Sequence, residues 1–144
     1  MILMRMIKMD QRAQISVEYI LLVAIILAIV IVFALIITDQ SEQNKVATAA
    51  QLGASNATAN ILFTNTSQTP VKVTSVTMTN GTNINLVIHF SRSVTSQQGT
   101  ILQSIENSLR AAGFNNLVKT NTSITVTTTT TAAGLRHTYL ITLA

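Results

Sequence analysis

Hydrophobic and polar positions divide the chain into three patterns. From Ile20 to Ile37 every side chain is apolar. Read as a helix rising about 1.5 Å per residue, this run covers roughly 27 Å, close to the hydrocarbon thickness of a bilayer. It predicts a helix able to cross a membrane. Beyond it, Thr38 to Ala59 contains no proline and many helix formers, and Val46, Ala49, Ala50 and Gly53 recur every three or four residues to make one small, mildly apolar side. A single long helix from Gln14 to about Ala59 is expected, apolar all round in its first half and weakly amphipathic in its second. Small residues on that second half would let a sheet or another helix approach closely. Ser55 to Asn60 also reads as a loop, so an end anywhere between Gln51 and Asn60 fits equally well.

From Ile61 the period becomes two. Val71 and Val73, then Val76 and Met78, predict a strand with an irregularity near Ser75; Asn80-Gly81 is a hairpin signal; Ile84, Leu86, Ile88 and Phe90 alternate cleanly behind it. A second helix is expected from about Gln97 to Ala112. Ile101, Leu102, Ile105, Leu109 and Ala112 share one face, Thr95 or Ser96 is placed to cap its start, and Gly113 is placed to end it with Phe114 packing back on Leu109. Glu106 and Arg110 form an i,i+4 pair on its exposed side. The β-branched stretch Ile124 to Thr131, a turn at Ala132-Ala133-Gly134 and the alternation of Leu135, His137, Tyr139, Ile141 and Leu143 predict a second hairpin, with the Thr127 to Thr131 run read as a Thr-faced strand rather than a low-complexity tract. The fold class that follows is α+β: a long N-terminal helix and a small β-rich head in the order β-β-α-β-β. Phe63, Phe90, Phe114 and Tyr139 all fall at expected core positions of that head.

Charge adds an orientation. Arg5, Lys8 and Arg12 precede the apolar run and favour retention of that end in the cytoplasm. A plain signal anchor satisfies this much. A conventional removable signal peptide does not, because its apolar region is about 7–15 residues long and ends in a small-x-small site, whereas this run is longer and ends in Thr38-Asp39-Gln40. The formal charge is +4; without the four charged residues of the basic leader, Arg5, Lys8, Arg12 and Asp10, six cations face four anions. No cluster of Lys and Arg interleaved with aromatics is present, so a nucleic-acid partner is not expected.

The stretch Arg12-Ala13-Gln14-Ile15-Ser16-Val17-Glu18-Tyr19 carries the most specific signal. A basic leader, a small residue, Gln-x-Ser-x-Glu and then a long apolar run resemble the class III signal peptides of archaeal type IV pilin-like proteins. The resemblance covers these eight residues and the apolar run, with Ala13 standing where many family members have Gly. It implies cleavage between Ala13 and Gln14 by a prepilin peptidase on the cytoplasmic side, which makes Gln14 the first and Glu18 the fifth mature residue. It divides the chain into a cleaved leader (1–13), a long helix (14–59, with 20–37 membrane-spanning and later the filament core) and an extracellular β-rich head (60–144). It also implies a processing motif of Gln14, Ser16 and Glu18, and a pairing of Glu18 with the new N-terminus of a neighbouring Gln14 during assembly. Moving a carboxylate into hydrocarbon costs very roughly 3 kcal/mol at mid-bilayer, so Glu18 wants a cationic partner. The alternative role for Glu18 is to complement the positive end of the helix dipole, worth at most about 1 kcal/mol.

Candidate chemistry beyond this is sparse. Cysteine is absent, His89 and His137 are the only histidines, and Glu106 is the only carboxylate from Ile61 onward. Both histidines sit in expected strands as hydrogen-bonded side chains rather than metal ligands. No catalytic residue, metal or cofactor is expected, and an enzyme is not. Asn-x-Ser/Thr sequons at Asn56, Asn65, Asn80 and Asn121 lie on the side expected to be outside the cell and are candidate N-glycosylation sites. The resemblance thus implies a structural pilin: a membrane-inserted precursor, an assembly platform, a helical homo-oligomer, and a cell-surface filament for adhesion. A minor adhesive pilin and a monomeric signal-anchored ectodomain are the alternatives, and motility is not distinguished from attachment.

Overall fold

The computed structural model describes residues 2–65, 67, 69–128 and 136–144, with side chains from Ser16 onward. Helix α1 runs Ile2–Thr64. Chain contacts separate a unit ending at Thr38 from a unit comprising Asp39–Ala144. Strand β1 (Val73–Met78), β2 (Asn83–Phe90), a 3₁₀ turn (Thr95–Gln97), α2 (Gln98–Ala111), β3 (Leu117–Lys119), β4 (Ser123–Thr127) and β5 (Thr138–Leu143) follow. A long N-terminal apolar helix followed by a small mixed sheet makes the fold α+β.

The sheet order is β1-β2-β5-β4-β3. Three pairings are antiparallel, but β5 lies parallel to β2, with Leu86 opposite Ile141. A parallel neighbour needs a crossover of a dozen or more residues, and α2, β3 and β4 supply it. The two hairpins are thereby joined edge to edge into one sheet. The odd spacing from Val73 to Val76 is absorbed by a register shift between Val73 and Ser75, as expected. Gly81 adopts φ 129° in the first hairpin loop, a backbone conformation that costs other residues strain.

One face of the sheet is buried. Ile84, Leu86 and Ile88 of β2, Ile124 and Val126 of β4, and Tyr139 and Ile141 of β5 are all fully excluded from solvent, and they form one cluster with Ile101, Leu102, Ile105 and Leu109 of α2. Val46, Ala49, Ala50, Ala54 and Ala57 of α1 complete it. Val46, Ala50, Gly53 and Ala57 succeed one another by three or four residues, the period that keeps a helix face on one side. The closest approach is at Gly53, where an added Cβ would lie 2.6 Å from the Ile105 Cα and 2.8 Å from the Ser104 carbonyl oxygen. Ser104 Oγ donates to the Gly53 carbonyl at 2.7 Å across the same contact.

Several expectations need correction. Helix α1 continues past Asn60 to Thr64, because Ala57 and Thr58 are buried and Ile61 packs on the core; burial outweighs the loop-like composition of 55–60. Phe63 is not a core residue. It is 85 % exposed near the end of α1, and Ile61 takes the inward place two residues before it. Neither Thr95 nor Ser96 caps α2: a 3₁₀ turn occupies those positions and Gln97 is the N-cap, with no side-chain cap bond. At the other end, Gly113 N–H donates to the Arg110 carbonyl and Phe114 N–H to the Leu109 carbonyl, both at 3.0 Å, with Gly113 at φ 99°. This is the Schellman arrangement expected from the sequence. Strand β3 was absent from the expected β-β-α-β-β order; at three residues it is too short to show a period, and it forms by pairing Leu117 with Val126. The expected turn at 132–134 and Thr129 to Thr131 lie outside the described residues.

Glu106 accepts from Arg110 at 2.9 Å and lies 3.4 Å from Lys119 Nζ, so the i,i+4 pair also ties α2 to β3. The Arg110 hydrogen bond is the main reason the Glu106 carboxyl is held below its ordinary value, opposed by a smaller effect of burial and assisted by Lys119.

Gly53→Ala tests the helix contact. Its methyl would meet backbone rather than a flexible side chain, costing about 1–3 kcal/mol of overpacking against a gain of up to ~1 kcal/mol in helix propensity. A lower denaturant midpoint for the full chain in detergent is the expected result. An equal or higher midpoint would show that the two helices are not in backbone contact there.

Candidate processing and assembly segment

The sequence-defined site begins inside α1. Ala13 and Gln14 lie in the helical backbone, their side chains outside the described set; Ser16 and Glu18 follow on the same helix, both exposed. Gln14 and Glu18 are four residues apart and therefore share a helix face. Glu18 has no hydrogen-bond or ion-pair partner among the described residues. Nothing in the described chain satisfies that carboxylate.

The apolar segment behind it is uncovered too. Helix α1 is long and apolar enough to cross a membrane, and none of its most apolar stretch is buried. Tyr19 is 68 % exposed, Phe33 61 % and Ile37 65 %. A helix hydrophobic on every side and buried on none requires lipid or other helices around it. Its end is marked by Thr38, whose Oγ1 donates back to the Ala34 carbonyl at 2.8 Å and so is satisfied without water.

Within the second unit, sequence reasoning missed a cluster of four polar side chains. Asp39 and Glu42, one turn apart on α1, meet His137 and Tyr139, which are two residues apart and so share a face at the start of β5. His137 Nε2 lies 2.6 Å from Asp39 Oδ1, and Tyr139 Oη donates to Glu42 Oε1 at 2.9 Å. The second Asp39 oxygen accepts from Gln43 Nε2 at 3.5 Å. The His137 backbone is fixed by Thr128, which donates its N–H to the His137 carbonyl and receives the His137 N–H on Oγ1. His137 Nδ1 is buried and has no partner among the described residues. The carboxylate only accepts, so the bond to Asp39 is donated by His137 Nε2–H. The signal was present in the sequence as two carboxylates at i,i+3 and two polar-tipped rings at i,i+2, but nothing local says that they meet.

This cluster ties α1 to β5 within the second unit. No group of three His, Cys, Asp or Glu among the described residues is arranged to hold a metal ion. His89, expected as a hydrogen-bonded strand residue, bonds Thr77 Oγ1 at 3.1 Å across β1 and β2. Asn56, Asn65, Asn80 and Asn121 are all exposed.

Comparison with known proteins agrees with the motif. The family model described as Class III signal peptide matches residues 11–37. No curated protein and no solved structure matches the chain. The match supports a type IV pilin-like protein carrying a class III signal peptide, on a fold consistent with that of a pilin. It points to a structural pilin rather than an enzyme, and with the apolar helix it indicates membrane association of the precursor.

Tyr139 supplies a test of the tether. Burial, then the hydrogen bond to Glu42 and the charges of Glu42 and Asp39, push its hydroxyl well above the ordinary phenol value. In an unfolded chain that hydroxyl ionises near pH 10. A group raised in the folded state contributes stability that is complete below the unfolded value and is lost as pH rises beyond it. Tyr139→Phe should therefore cost about 1–2 kcal/mol at pH 7 and, above pH 10, lose stability less steeply than the native chain. Thermal unfolding followed by far-ultraviolet circular dichroism between pH 8 and 11.5 reads both effects; parallel curves would mean that Tyr139 is not held by the carboxylates.

Proposed function

We propose that this chain is the structural subunit of an archaeal type IV-like surface filament serving adhesion. In this reading a prepilin peptidase cuts between Ala13 and Gln14, and the helix then leaves the bilayer to polymerise with copies of itself. The observation that carries the reading is the conjunction of Gln14-x-Ser16-x-Glu18 with an apolar helix that has no buried side in its own chain. Lipid covers that surface before assembly and neighbouring helices cover it afterwards, so the apolar area is exchanged rather than exposed. Glu18, which has no partner among the described residues, gains the α-ammonium of a neighbouring Gln14. That charge exists only after cleavage, so processing and polymerisation are coupled through one ion pair.

Glycan attachment belongs to the same reading. Asn65, Asn80 and Asn121 lie in connections, whereas Asn56 lies within α1 and the hydroxyl of its sequon, Thr58, is 5 % exposed and donates to the Ser55 carbonyl at 2.9 Å. We assign transfer to Asn65, Asn80 and Asn121, with Asn56 unmodified. A minor, adhesive pilin is the second reading. The exposure of Phe63 favours it, since a solvent-facing aromatic is what a ligand-binding head requires.

Intact mass and N-terminal peptide sequencing on protein from the native cell surface, with electron microscopy of the same cells, test the proposal. A chain beginning at Gln14, found in filaments and carrying extra mass at the three assigned asparagines, is expected. A chain that keeps its leader and forms no filaments would leave a signal-anchored ectodomain. Glu18→Ala should give a cleaved, folded protein whose filaments fall at least tenfold in number, and wild-type filament counts would remove the pairing role. Ala13→Leu should block processing, seen as retention of the leader's mass.

A further inference from the structure

We infer that a polar cleft on the head, where the connection from α1 to β1 meets the connection from β2 to α2, binds an acidic saccharide through Arg92. The inference gives the adhesive reading a ligand class and rests on that reading for its purpose, though the cleft belongs to the head alone.

The cleft has a volume of about 360 Å³ and is lined by Ser67, Thr69, Arg92, Ser93, Ser96 and Gln97, with Val71 as the aliphatic member. Small-molecule sites begin at about 300 Å³, so there is room for a sugar ring and its substituents. The backbone just before Arg92 is held at Ser91: Lys72 N–H donates to Ser91 Oγ at 3.1 Å, and Ser91 N–H donates to the Lys72 carbonyl at 2.9 Å. This pair of bonds clamps the two connections together.

Charge selects the ligand. The second unit holds three carboxylates, and all are engaged elsewhere: Asp39 with His137, Glu42 with Tyr139, and Glu106 with Arg110 and Lys119. None lines the cleft, and neither Arg92 nor Lys72 has an ion-pair partner among the described residues. A guanidinium presents a planar fork that matches a carboxylate or sulfate with two parallel bonds. The hydroxyls of Ser67, Thr69 and Ser96 have no partner among the described residues and can both donate and accept, which suits the hydroxyl ring of a sugar. Ser93 Oγ is already paired with Thr95 Oγ1 at 3.0 Å and serves less directly. No aromatic ring lines the cleft among the described residues. A nucleotide would therefore find its phosphate partner but no platform for its base, and a neutral sugar would find hydroxyls but no charge.

The test is calorimetric titration of the full chain in detergent micelles with digalacturonate, a sulfated disaccharide, neutral cellobiose and sodium sulfate. Binding of either acidic disaccharide is expected, and which of the two binds more tightly assigns the acid group. Arg92→Gln should weaken it at least tenfold and Ser96→Ala severalfold, at unchanged circular dichroism. Arg136→Gln, which removes an exposed cation outside the cleft, should change it less than twofold. The proposal is overturned if neither acidic disaccharide binds, if cellobiose binds as tightly, if sodium sulfate competes at equal concentration, or if Arg136→Gln weakens binding as much as Arg92→Gln does. Electron microscopy keeps the two readings apart. Filaments without saccharide binding remove this inference alone, and saccharide binding by a chain that forms no filaments removes the filament reading alone.

Discussion

Apolar helix surface that the chain cannot bury for itself is the constraint on which everything else depends. At about 25 cal/mol per Å² of apolar area, the side chains between Ile20 and Ile37 represent tens of kcal/mol of surface that must stay out of water at every stage. That requirement explains why the segment is free of charge from Ile20 to Ile37 and why its closing residue, Thr38, returns its hydroxyl to its own backbone. Glu18 stands at the edge of that surface with no ion-pair partner among the described residues, and a carboxylate is costly to carry into hydrocarbon.

The same helix carries a different logic from Asp39 onward. Here small residues replace large ones, and the surface is buried within the unit: Gly53 lets the α2 backbone come close enough that a single methyl would collide with it. Large side chains on α2 and the sheet fill the space that alanines on α1 leave, so the contact is specified by shape as well as by apolar area. The polar side chains that flank this contact are paired across it. Asp39 and Glu42 are each bonded to a ring from the start of β5, and such paired groups position two elements without adding much net stability.

Legibility in the sequence followed the range of the interactions. The apolar run, the register shift near Ser75, the Gly113 terminus and the α2 face, save for Ala112, which is exposed at the C-cap, were readable because each depends on residues a few positions apart. The end of α1 was not, because Ser55 to Asn60 is helical on account of Ala57 and Thr58 being buried by distant residues. Phe63 was misplaced for a related reason: near a helix end, one position decides between the core and solvent, and Ile61 took the inward place. The parallel partnership of β2 and β5 and the tether at Asp39 are separated by some fifty and a hundred residues of chain. No local period encodes such contacts. By contrast the signal-peptide motif, which the family model matches over residues 11–37, was legible because it is carried by a short contiguous segment and needs nothing from the fold.

Carboxylates also determine what the head can meet. Every side-chain carboxylate in the second unit is bound to a partner within it, whereas Lys72 and Arg92 have no ion-pair partner among the described residues. The unit's outward electrostatics are therefore cationic even though charged residues are only 10 % of the sequence. In a filament that bias would repeat with every subunit. Individually weak contacts to an acidic surface would then act together, because each bound subunit raises the effective concentration of ligand at the next. A single shallow cleft need bind only feebly for such an array to hold, so the hydroxyl-rich, ring-free lining around Arg92 is compatible with firm attachment.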